Sequence, residues 1–334
     1  MANTEPKTAL ICGASGQDAA WLSKLLLERG YRVVGSSRDA AMASFSNLTK
    51  LGIRERVKIV SAALTDFRSL IRVLLEFEPD EIYNLSGQSS VGLSFEQPAE
   101  ALESIAFGTL NLLEAIRMLK RPARLYNASS SECFGEIMGE PADESTPFRP
   151  RSPYGVAKAA AFWQVSSYRD AYGIYACSGI LFNHESPLRP ERFVTQKVVA
   201  AACRIAAGSQ ERLKLGDLSI RRDWGWAPEY VEAMWRMLQA SEPSDYVICT
   251  GETNALSEFV DEAFSAVGLR AADHVDQDPT LFRPADLRAS VGSPAKARER
   301  LGWSARYKMR DVVRAMVAAA QQGATAGPAK TSAR

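Results

Sequence analysis

"TALICGASGQDAAWLSKLLLERG", Thr8 to Gly30, reads as three pieces in succession. The apolar run Thr8 to Cys12 has the length of a buried strand and stops at glycines. From Gln17 onward the apolar residues follow helical spacing through Leu22, Leu25 and Leu26, until Gly30 ends the run. Between them "GASGQDA", Gly13 to Ala19, fits G-x-x-G-x-x-A. In a strand, turn, helix context such glycines let the backbone approach a pyrophosphate, and the helix N-terminus offers N–H groups and a partial positive charge. Gly13, Ser15, Gly16, Gln17 and Asp18 are therefore candidate cofactor-binding residues.

The alternation continues outward. Strands are expected in "YRVVGSS", "RVKIVSA", "EIYNLSG" and "ARLYNAS". Helices are expected over about Asp66 to Phe77, about Ala99 to Leu119, and Pro153 to about Tyr172. Strands alternating with helices of this length predict an α/β fold with a doubly wound parallel sheet, Rossmann-like. After Ser152 the pattern changes, and "NHESPLRPER" and "DPTLFRPADL" separate helices with proline- and arginine-rich segments. The expected organisation is a dinucleotide-binding domain over 1–182, rejoined by about 222–251. A smaller, discontinuous substrate domain takes 183–221 and 252–322, and 323–334 forms a disordered tail.

With 334 residues, a net charge of +1 and scattered lysines and arginines, the chain is not built for nucleic acid or an anionic membrane. The five cysteines are far apart and show no CxxC pairing, so neither a disulfide framework nor a zinc site is expected. No apolar run approaches bilayer length and the N-terminus lacks a signal pattern, which places the protein in the cytoplasm.

The end of the second predicted strand, "VVGSSRD", bears on which dinucleotide is held. Ser37 followed by Arg38 suits a ribose 2′-phosphate and so NADP. Asp39, one register shift away, would instead suit the 2′-hydroxyl of NAD. In "RSPYGVAK" Ser152 caps a helix, Pro153 takes its first position, and Tyr154 and Lys158 share one face at i, i+4 spacing. A phenolate at neutral pH requires lowering a pKa of about 10 by about 3, or about 4 kcal/mol. One cation about 4 Å away at an effective dielectric of about 20 supplies roughly that.

These motifs resemble the extended short-chain dehydrogenase/reductase family and, within it, the GDP-mannose 4,6-dehydratase family. The carrying segments are "GASGQDA", "YNLSGQSSVG", "SSSECFG", "PRSPYGVAK", "GILFNHESPLRPERFVTQK", "RRDWGWAPEYVEAMW" and "FRPADL", spanning about Ala9 to about Val317. The resemblance implies Ser130, Glu132, Tyr154 and Lys158 as catalytic residues. It adds Asp66, Leu85, Ser86, Gln88 and His184 to the cofactor contacts, beside Tyr154 and Lys158. Nucleotide-sugar contacts are implied at Ser89, Glu132, Asn183, Lys197, Arg222, Arg283 and Asp286. The sequence departs from the family pattern at Ala19, at the pair Arg38 and Asp39, and at Ala63.

The reaction so implied is loss of water from GDP-mannose with internal recycling of NADP, NAD being the other option. Tyr154 would take the C4 hydroxyl proton, Ser130 would bond that oxygen, and Glu132 would carry the elimination across C5 and C6. Alternatives are a dehydratase of another GDP-sugar such as a GDP-heptose, a GDP-4-keto-6-deoxysugar reductase, and a non-catalytic dinucleotide-binding regulator. Homodimers or homotetramers are implied, with "SSRDAAMASFSN" placed to reach a neighbour.

Overall fold

The structure, a computed structural model, describes residues 5–120, 122–137, 139–282 and 284–325. The first strands fall on the expected stretches: β1 (Thr8–Cys12), β2 (Arg32–Ser37), β3 (Lys58–Ser61) and β5 (Arg124–Ser130) within two residues, and β4 (Glu81–Asn84) ending three residues early; β6 (Ala176–Leu181) follows. Beyond them lie the short strands β7 (Asn183–Glu185), β8 (Leu213–Leu215), β9 (Arg221–Arg222) and β10 (Trp224–Trp226). β11 (Tyr246–Ile248) returns to the first sheet, and β12 (Asn254–Ala255) and β13 (Val275–Gln277) follow.

The main sheet runs in the order 11-6-5-4-1-2-3, every neighbour parallel. Its central strands β1, β4 and β6 are buried on both faces, which is why β1 reads as a nearly continuous apolar run rather than an alternating one. One face packs against the helices Gln17–Glu28 and Ala227–Gln239, through Leu22, Leu26, Val231 and Met234. The other packs against Phe67–Phe77, Gly108–Leu119 and Pro153–Tyr172, through Val73, Leu112, Ile116 and Val165. The order reverses between β1 and β4, so a crevice opens beyond their carboxyl ends.

A third apolar core stands apart from the sheet. Val198, Val199 and Ala202 of the helix Val194–Ala206 meet Phe259 and Phe264 of Leu256–Ser265 and Val312 and Met316 of Met309–Thr325. The pairs β7 with β10, β9 with β12 and β8 with β13 join this layer to the chain that crosses the crevice. The last helix continues to Thr325; the rest of the expected tail lies outside the described residues.

Where one helix was expected over about Ala99 to Leu119, the structure has a helical stretch from Pro98 whose middle, Leu102–Phe107, is π-wound. Here the Ser104 hydroxyl donates to the Glu100 carbonyl and accepts from the Gln88 N–H (3.2 Å), so the irregular turn supports the loop after β4.

Candidate active site

Two connected clefts lie along the carboxyl ends of the strands. The first, about 700 Å³, is lined by Gly13, Ser15, Gly16, Ser37, Arg38, Leu85, Ser86, Gln88 and Ser89, a size usual for a small-molecule site. Gly13 has φ +89, and a Cβ there would lie 3.0 Å from the Leu85 carbonyl oxygen. Only glycine lets the turn pass so close beneath β4. Gly16 caps the first helix without a side-chain bond, which leaves that helix's first N–H groups to an anion. The donors and the shape fit a dinucleotide.

At the far end of β2, Arg38 reaches Glu100 at 3.3 Å and stays largely exposed. Asp39 turns back onto its own loop and accepts from the N–H groups of Ala41 (2.9 Å) and Met42 (3.1 Å). Its carboxylate is thereby committed away from the cleft wall. Asp66 accepts from the Arg68 N–H as the cap of the helix Phe67–Phe77, and is not among the lining residues.

The second cleft, about 230 Å³, is lined by Ser130, Glu132, Tyr154, Lys158, Asn183, His184 and Arg222, and shares Leu85, Ser89, Ser90 and Arg192 with the first. β5 runs straight into a 3-10 turn, Ser131–Cys133, because the Ser130 hydroxyl accepts from the Glu132 N–H at 3.2 Å. Ser152 caps the following helix by accepting from Gly155 N–H at 3.0 Å, and Pro153 takes the first helical position. A Cβ on Gly155 would fall 2.7 Å from the Glu132 carbonyl oxygen. The missing side chain is what lets the Tyr154 helix sit against the Glu132 turn.

Lys158 is buried and donates to the Ala128 carbonyl at 2.7 Å. Its Nζ lies 5.8 Å from the Tyr154 ring centroid. Burial lowers the ammonium to about 8. Burial also pushes the Tyr154 phenol well above its ordinary value, and a hydrogen bond with Ser130 offsets only part of that. The expectation that one lysine brings the phenol near neutrality is therefore corrected: burial is the largest influence on Tyr154 and pushes the phenol up.

His184 donates from Nδ1 to the Phe182 carbonyl (2.7 Å) and from Nε2 to the Asp18 carboxylate (2.9 Å), and stacks on Tyr230 at 4.5 Å. Two acceptors demand two N–H groups, hence an imidazolium. Burial works against the charge, but Asp18 and the Phe182 carbonyl raise the imidazole above its ordinary value and His184 holds Asp18 below its own. Gln17 completes the clamp, donating to the His184 carbonyl (3.2 Å) while accepting from the Ser186 hydroxyl (2.8 Å). Gln17, Asp18 and His184 thus bolt the glycine-turn helix to β7.

The structure does not gather all the implied sugar contacts. Arg222 is buried, bonded to the Leu287 carbonyl and to Asp286 at 2.8 Å. Lys197 donates to the Lys214 carbonyl at 2.8 Å and is not among the lining residues. Arg283 lies outside the described residues. Sequence reasoning passed over Glu185, Arg189 and Arg192, which also line the second cleft. Buried Glu185 binds Arg189 (3.1 Å) and the Thr195 hydroxyl (2.9 Å). The charge-dense run "ESPLRPER" was the available signal. Among the described residues no cluster of histidine, cysteine, aspartate or glutamate is arranged to hold a metal ion, and no helix is long and apolar enough to cross a membrane.

Residues 10–316 match the family described as GDP-mannose 4,6 dehydratase. GDP-mannose 4,6 dehydratase 1 of Arabidopsis thaliana is 44% identical over 321 residues, covering 93% of this chain and 89% of that one. The GDP-mannose 4,6-dehydratase of Yersinia enterocolitica is 40% identical, with 93% of each chain covered. Among solved structures, UDP-glucose 4-epimerase of Thermus thermophilus in complex with NAD is similar at a TM-score of 0.83 and 28% identity, covering 94% of this chain and 99% of that one. The dTDP-glucose 4,6-dehydratase of Bacillus anthracis shares the fold at a TM-score of 0.84 and 18% identity, covering 96% of this chain and 98% of that one.

Proposed function

The chain belongs to the GDP-mannose 4,6 dehydratase family, and from that membership we propose that it converts GDP-mannose to GDP-4-dehydro-6-deoxy-mannose with loss of water. The observation that carries the reading is Glu132 in the same cleft as Ser130, Tyr154 and Lys158. A hydroxyl, a phenol and an ammonium suffice for oxidation at C4; the carboxylate is the group that elimination adds.

NADP held in the first cleft by the glycine turn, Ser37 and Arg38 would supply the acceptor for the C4 hydride and the donor for C6, and would be regenerated. Ser37 and Arg38 on the cleft wall, with Asp39 committed to its own loop, support the 2′-phosphate form over NAD. Tyr154 takes the proton of the C4 hydroxyl, Ser130 holds that oxygen, and Lys158 stabilises the phenolate. The resulting ketone acidifies C5. Glu132 removes the C5 proton, the electron pair becomes the C5–C6 double bond, and the C6–O bond breaks as a proton returned by Glu132 releases water. Hydride return to C6 would leave C5 to take up one proton, which balances the one Tyr154 drew from the C4 hydroxyl.

We also infer a homodimer. Phe107, Met118, Val156, Trp163 and Tyr172 are 45–61% exposed on the two packed helical stretches Pro98–Leu119 and Pro153–Tyr172, more apolar surface than a monomer's outer helices usually present.

The test is incubation with GDP-mannose and no added cofactor, followed by mass spectrometry. Loss of one water supports the reading. Stoichiometric consumption of NADPH on a 4-keto sugar, or turnover of a GDP-heptose alone, would replace it.

A further inference from the structure

The cations lining the second cleft are unequal. Lys158 donates to the Ala128 carbonyl, Arg189 is held by Glu185, and Arg222 by Asp286 and the Leu287 carbonyl. Arg192 is different. Among the described residues it makes neither hydrogen bond nor ion pair, and its guanidinium carbon rests 5.1 Å from the Phe193 ring. It is exposed, and it lines both clefts, as Ser89 and Ser90 do. It is the one charged side chain the two linings share.

A GDP-sugar brings a diphosphate into a cleft that already holds the carboxylates of Asp18, Glu132 and Glu185. Asp18 and Glu185 are offset by His184 and Arg189. A further anion therefore calls on positive charge not already spent on the protein's own acids. The cofactor's diphosphate has its own donors at the glycine turn, whose Gly13, Ser15 and Gly16 line only the first cleft. We propose that Arg192 binds the diphosphate of the nucleotide-sugar substrate, closing over the junction of the two clefts as that group enters. A planar guanidinium with five donors is matched to such an anion in a way an ammonium is not.

The proposal rests on the GDP-sugar reading above, and the test separates the two. NADP-loaded wild type, Arg192→Ala and Arg192→Lys are titrated with GDP, GMP and guanosine, and the retention of NADP on dialysis is measured for each. Loss of one charge-assisted contact predicts GDP binding weakened about 10-fold in Arg192→Ala, with Arg192→Lys between the two. GMP falls less and guanosine is unchanged. Wild-type GDP affinity also falls more steeply with salt than that of Arg192→Ala. Unchanged GDP affinity in Arg192→Ala overturns the proposal. So does NADP loss with GDP binding intact, which would assign Arg192 to the cofactor, and so does an equal loss of guanosine, which would mean local collapse. If wild type ignores GDP but binds another nucleoside diphosphate through Arg192, the GDP-sugar reading fails while the arginine's role stands.

Discussion

Glu132→Gln keeps the side chain's shape and removes its proton chemistry. Turnover is expected to fall by about 10² to 10⁴, while mixing with GDP-mannose still reduces the bound cofactor, seen as absorbance near the reduced nicotinamide band. Dehydration at the wild-type rate would remove Glu132 from the mechanism. Lys158 governs the alkaline side. Its ammonium is lowered to about 8 by burial, so the charge that supports the Tyr154 phenolate is lost as pH rises through that value. The profile of kcat/KM should therefore decline above about pH 8, well below where an exposed lysine at about 10.4 would act. A profile flat to pH 10 would show that the ammonium form is not required.

Elements hold these residues in place, and two of their contacts can be broken separately. Gly155→Ala would push a Cβ to 2.7 Å from the Glu132 carbonyl, so the helix Pro153–Tyr172 and the Ser131–Cys133 turn must part. Overpacking of this kind costs about 1–3 kcal/mol, and kcat should drop with it because Tyr154 and Glu132 move apart. A thermal melt and a kcat both like wild type would mean that the contact yields freely. The other contact is the His184 and Asp18 clamp. His184 is raised above its ordinary 6.5, so its contribution to stability is complete below 6.5 and fades as pH rises through the raised value. Asp18 is lowered from 3.8, so its contribution is complete above 3.8 and fades as pH falls through the lowered value. His184→Gln, which leaves Asp18 partly buried without its cation, should lose about 3 kcal/mol, most of it between pH 3.8 and 6.5. A deficit in denaturant midpoint that does not vary with pH would point to lost stacking on Tyr230 instead.

For the whole molecule, the exposed apolar stripe on Pro98–Leu119 and Pro153–Tyr172 sets the expectation. Trp163 is 60% exposed, and Trp163→Glu should place a charge in the middle of a shared face. Sedimentation should then show a monomer where wild type is a dimer. A dimer of undiminished affinity would move the interface elsewhere.

Much of this architecture was legible in the chain because it is written locally. Strand and helix periods, the cap at Ser152 and the glycine turn depend on neighbours a few residues away, and so do Ser130 with Glu132 and Tyr154 with Lys158. Three things were not legible, and each depends on residues that folding brings together from far apart. Asp18 meets His184 across 166 positions, and Arg222 meets Asp286 across 64, so the spent cations could not be told from the unspent Arg192 by reading along the chain. The upward shift of Tyr154 follows from how completely the crevice desolvates it, which spacing on a helix does not report. Local chemistry names the groups that can react; burial and distant pairing set which of them carry charge, and where it is free to meet a substrate.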